Sequence, residues 1–171
     1  MNRSDLQSVR PIAQTSHEPP MAPPPSSRRA TTPPPSDLLT NAHEKALLAA
    51  ESAVVALRSG DVAHATSTWG TAEMRLCTQL EAVERLILPV FRFVDPLAAH
   101  RILHSHARLR GISAECAQVF AKPKPNADEA ASAVHALRSH GTGEGHSMYR
   151  WADRHLDNIT RGLLWTRLVG A

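Results

Sequence analysis

From residue 37 onward, apolar side chains recur at alternating spacings of three and four, which is the stripe of an amphipathic helix facing a core. Four such stretches follow one another. The first runs from Asp37 to about Ser59, with Ser36 or Asp37 as cap and Gly60 as its stop. The second runs from Asp61 to Phe91, and the third from Asp95-Pro96 to about Ala121, before Pro123 and Pro125. Asn126 opens the fourth, which continues to about Leu156, and a short amphipathic piece covers Ile159 to Val169. No stretch alternates with period two, so no strand is expected. Four long helices joined by short loops predict an all-α, up-down-up-down four-helix bundle over residues 37–156, with residues 157–171 as an appended short helix.

The interior seam of each helix can be read directly. It is Leu39, His43, Ala46, Ala50, Val54 and Leu57 in the first helix. In the second it is Val62, Ala65, Trp69, Ala72, Leu76, Gln79, Val83, Leu86 and Val90. The third gives Ile102, His106, Leu109, Ser113, Cys116 and Phe120. The fourth gives Ala130, Ala133, Leu137, His140, Glu144, Ser147 and Trp151, with Met148 beside it. Polar residues interrupt every seam: His43, Gln79, His106, and the pair His140 and Glu144. A carboxylate is buried only when it is paired, so these intrusions need a partner in the core. Imidazole and carboxylate together suit iron, manganese or zinc, and bundle interiors are a known place to assemble such donors from facing helices. The competing reading is a buried His–Glu network that holds helix register.

Composition agrees with a helical chain. Glycine is 8 of 171 residues and aromatics are 4 %, while Ala, Leu, Arg and Glu are abundant. Residues 1–36 differ: nine of the 13 prolines lie there, including Pro23-Pro24-Pro25 and Pro33-Pro34-Pro35. Such a stretch cannot build a core and is expected to be a disordered tail of polyproline II character, a tether or a ligand for a protein partner. The net charge of +3 is small and scattered, which argues against nucleic acid as a partner. No apolar run has the length of a membrane span and no signal peptide is read, so a soluble cytoplasmic protein is expected. Cys77 and Cys116 match no zinc spacing and are expected as reduced, half-buried thiols.

The polar intrusions lie within motifs that resemble a known family. His140-Gly-Thr-Gly-Glu144, followed by Tyr149, Trp151 and Asp153, is similar to the last helix of hemerythrin-like (HHE cation-binding) domains. Glu84-Arg-Leu-Ile-Leu-Pro89 resembles the end of that family's second helix, His106-Ala-Arg-Leu-Arg its third-helix motif, and His43-Glu-Lys-Ala-Leu-Leu its first. The resemblance covers residues 37–156 and implies a four-helix bundle that holds two non-haem irons. It implies His43, His106, His140 and Glu144 as metal ligands. The family's second-helix histidine and glutamate fall on Gln79 and Val83, counting back from Pro89, so one bridging carboxylate is missing. Glu84 is adjacent, but on an ideal helix it points about 100° away. The expectation is therefore a reduced or vestigial site for one iron, or zinc, that binds or senses the metal or a small diatomic ligand and is not enzymatic. A metal-free helical interaction module of the same fold is the alternative, and a non-haem iron enzyme comes third.

Three further expectations concern residues off the seam. His100, His104, His135, His146 and His155 are expected at the surface. Arg75, Arg85, Arg108, Arg110 and Arg138 are expected to form surface ion pairs of little energy. Gly141, Gly143 and Gly145 flank Glu144 and are expected to loosen the helix there, since glycine costs roughly 1 kcal/mol relative to alanine.

Overall fold

A computed structural model describes residues 33–140 and 146–169. Among these residues every regular element is helical. Helix α1 spans Pro35–Arg58 and α2 spans Val62–Ala82; a π-helical turn, Val83–Ile87, then leads into the short α3, Leu88–Phe91. Helix α4 spans Pro96–Phe120, α5 Ala127–His140, α6 His146–His155 and α7 Asn158–Val169. The expected tail is outside the described residues up to position 32, and so is the point at which a single fourth helix would join α5 to α6. No described helix is long and apolar enough to cross a membrane.

The ends of these helices follow local chemistry. Helix α1 begins two residues before the expected start, with Pro35 in its first turn and Pro34 at the cap position, so neither Ser36 nor Asp37 caps it. A proline is at home there because its missing N–H would have no intrahelical acceptor. At the far end Gly60 takes φ +82, and the Asp61 amide reaches back to the Ala56 carbonyl at 3.0 Å, closing the helix in a Schellman turn. Asp61, Asp95 and Asn126 then cap α2, α4 and α5 by accepting from His64 N (3.0 Å), Ala98 N (2.8 Å) and Asp128 N (2.8 Å).

Helix α2 packs on α1 and α4, and α5 packs on the same two helices, closing a ring of four; α6 and α7 lie against α1, and α7 also meets α2. The seam residues of α1 and α4 are inside as expected, apart from the half-buried His43. In α2, Val62 is exposed at the helix start instead. Beyond Val83 the expected seam fails in a regular way. Val90 is exposed and Leu86 half-buried, while their successors Phe91 and Ile87 are buried. The π turn explains the shift by one: the Leu88 amide bonds the Val83 carbonyl, five residues back instead of four, so one extra residue enters the turn. Pro89 supplies the cause, because it has no N–H and its ring would collide with the carbonyl four residues back in a regular helix. A similar one-residue offset holds in α6, where Ser147 is exposed and Met148 and Ala152 are buried, as is Leu156 just beyond it.

The apolar interior falls into two clusters. One joins Ala46–Leu57, Ala65–Leu80, Leu109–Phe120 and Ala130–Leu137, with Trp69 stacked on Phe120 at a centroid distance of 5.1 Å. The other joins Leu38, Leu39, Val83, Ile87, Phe91, Ile102, Met148 and Leu164. His43 and His106 lie in the chain between the segments that feed the two, and Gln79 lies at the end of an α2 segment that feeds the first. Cys116 is fully buried rather than half-buried, and burial pushes its thiol up to about 11. Both cysteines are free.

Candidate functional site

Helix α2 and its π turn carry two polar side chains toward the interior, and each holds one of the predicted histidines. Gln79, 4 % exposed, faces α1. Its amide nitrogen donates to the Leu39 carbonyl at 3.3 Å, which turns the amide oxygen to His43 Nδ1, 3.2 Å away. Tyr149 of α6, half-buried, has its hydroxyl pKa raised by burial, with Gln79 pulling the other way. Since the amide oxygen can only accept, His43 Nδ1 carries the proton and Nε2 is left with a lone pair. That Nε2 is buried and has no hydrogen-bond partner. Burial lowers the His43 pKa below 6.5, against the opposing pull of Gln79 and Glu44, so the ring is held neutral.

Glu84 does the same for His106. The π turn brings Glu84 inward, and its carboxylate lies 2.9 Å from His106 Nδ1. Arg110, one turn along α4, grips the same carboxylate at both oxygens, at 2.8 and 2.9 Å. Burial pushes the Glu84 carboxyl up, but the hydrogen bonds from Arg110 and His106 outweigh it and hold the group below the usual carboxylate range. Arg110 is thus no loosely paired surface cation; its fork fits the carboxylate bidentately. Facing a carboxylate that can only accept, Nδ1 of His106 again carries the proton.

Of the four predicted ligands, the structure therefore places His43 on Gln79 and His106 on Glu84, with α2 behind both. Glu144 and the His140 side chain lie outside the described residues. Among the described residues no group of three or more His, Cys, Asp or Glu is close enough to hold a metal ion. The donor set is unsuited to a metal pair: Val83, 1 % exposed, offers nothing at the missing carboxylate position, and Glu84 is already neutralised by Arg110. His43, whose Nδ1–H is oriented by Gln79, has the tautomer that ligating histidines adopt. Glu84 and Arg110 were not legible as site residues from spacing alone. Pro89, five positions after Glu84, was the signal, because a proline inside a helix forces the register to change just before it.

His100, His104 and His135 are exposed; His155 is exposed and stacks on Trp151 at 5.5 Å. Trp151, half-buried, also leans on Phe91 at 5.3 Å. Asp153, the last member of the fourth-helix motif, accepts from the Ser36 amide at 2.9 Å and so ties α6 to the start of α1. Comparison of the chain with protein families, curated proteins and solved structures finds no match. The hemerythrin-like resemblance consequently stands on the motif residues themselves.

Proposed function

We propose that this chain is a hemerythrin-like bundle in up-down-up-down order that binds one metal ion, iron or zinc, and serves in metal or small-ligand binding rather than in catalysis. The alternating order is supported by contacts that join neighbouring helices of the ring, α1 with α5 and the α2–π-turn segment with α4, in antiparallel register. Arg58 pairs with Asp128 and Arg138 with Glu51, while Thr66 reaches the Phe120 carbonyl and Glu84 reaches Arg110.

One observation carries the metal reading: each of two inward histidines has its Nδ1–H bound by a side chain of the second helix, and the Nε2 of His43 is buried with no partner. A buried lone pair without a donor costs stability unless something occupies it. His43 would offer its unpartnered Nε2, with His106, His140 and Glu144 as the remaining donors. Such an ion would supply Lewis acidity toward water or a diatomic molecule.

The metal-free alternative is favoured by a different observation. Arg110 fixes a positive charge beside His106, and that charge works against a second cation nearby. Elemental analysis after loading with Fe(II) or Zn(II) separates the two. One ion per chain, reduced by His43→Ala and by His106→Ala, supports the site. Metal at background level, or loading that His106→Ala leaves unchanged, overturns it in favour of the interaction module.

A further inference from the structure

On the outer side of the α1–α2 pair runs a groove of 520 Å³ that the metal reading does not use. Lys45, Leu48, Ala49 and Ser52 border it from α1; His64, Ser67, Thr68, Thr71 and Arg75 border it from α2. The spacing explains the alignment, since positions separated by three, four and seven share one helix face. No carboxylate lines it. Lys45 and Arg75 make no ion pair with a described residue, and both also border an adjoining recess of 70 Å³ closed by Thr78, Leu168 and Val169. Two uncompensated cations at one place attract an anion, and Arg presents paired N–H groups that match phosphate oxygens.

The hydroxyls narrow the ligand further. Ser52 Oγ donates to the Leu48 carbonyl at 2.8 Å, and Thr71 Oγ1 donates to the Ser67 carbonyl at 3.3 Å. Their protons are engaged within their own helices, so toward the groove these oxygens present lone pairs. Ser67 and Thr68 have no such internal acceptor and can donate. A bare anion uses only the donors. A ligand that satisfies the whole face carries a phosphate at one end and hydroxyl groups along its length.

We propose that this groove binds a phosphorylated polyol of sugar-phosphate type, with the phosphate held by Lys45 and Arg75 and its hydroxyl groups donating to Ser52 and Thr71. Ribose 5-phosphate is the probe, with inorganic phosphate and free ribose as controls, followed by calorimetry and amide chemical shifts. The expected result is saturable binding of ribose 5-phosphate, weaker binding of inorganic phosphate and none of ribose. Arg75→Gln should weaken both phosphate ligands about tenfold or more, as loss of a charged hydrogen bond does. Thr71→Val should bring ribose 5-phosphate down toward inorganic phosphate. Absence of saturable binding, wild-type affinity in Arg75→Gln, or no effect of Thr71→Val overturns the proposal. Metal content of these two variants should stay at the wild-type level, so the outcome is independent of the internal site.

Discussion

Replacing Gln79 by leucine would preserve bulk while removing the partner of His43 and Leu39 together. The cost should be about 1–3 kcal/mol in urea denaturation, because it leaves buried polar groups unpaired. The double variant Gln79→Leu, His43→Leu should recover part of that loss, since removing both partners spares the desolvation of the one left behind. Acid should act through two groups. His43 in the folded state binds its proton less readily than in the unfolded chain, where its value is near 6.5. Glu84 is likewise depressed below 4.5. For both, the unfolded state holds more protons, so stability rises with pH through each window. Unfolding free energy should start to fall below about pH 6.5 and fall further below about 4.5. His43→Leu should remove the upper phase and Glu84→Gln the lower; a flat profile in the wild type would contradict both assignments. At this scale His43 and His106 were legible as inward residues, because seam position alone decides which way a helical side chain points. The Glu84–Arg110 pair was not, because on a regular helix Glu84 faces elsewhere.

The π turn decides which residues of the second helix do the packing. An unbroken α-helix would bury Val90 and expose Phe91; the observed chain does the reverse. Phe91→Ala should therefore cost about 3–5 kcal/mol, a value usual for a buried aromatic, while Val90→Ala should stay within about 0.5 kcal/mol. Equilibrium denaturation of the two variants gives a direct reading of the register, and equal costs would remove the π turn from the account. Helix boundaries were legible wherever a named cap exists, as at Asp61, Asp95 and Asn126, because an Asx side chain satisfies the first free amides in only one position. Periodicity could not place the seam beyond Val83 or in α6. It assumes constant residues per turn, and one inserted residue rotates everything that follows by about 100°.

For the molecule as a whole, a chelator experiment reports on the internal site without identifying its ligands. If an ion binds only the folded chain, thermal stability must rise with metal concentration and drop on addition of EDTA. Calorimetry with and without EDTA should show that shift in the wild type and lose it in His106→Ala. The all-helical architecture was legible from the apolar spacing, since no strand rhythm competes with it anywhere after residue 36. Two apolar clusters, rather than one, were not legible, because which seam residues touch depends on how four helices are aligned along their length.

That division has a kinetic meaning. The cluster built on Val83, Ile87, Phe91, Met148 and Leu164 depends on the short pieces α3, α6 and α7, whereas the other rests on long uninterrupted helices. Short helices gain little from their own backbone cooperativity and hold only through packing. Amide protons of α6 and α7 should therefore exchange with deuterium through a partial opening that leaves Ala46–Leu57 and Leu109–Phe120 protected. Because α6 packs on α1, which carries His43, each such opening would give solvent a recurring path to the histidine layer from that end.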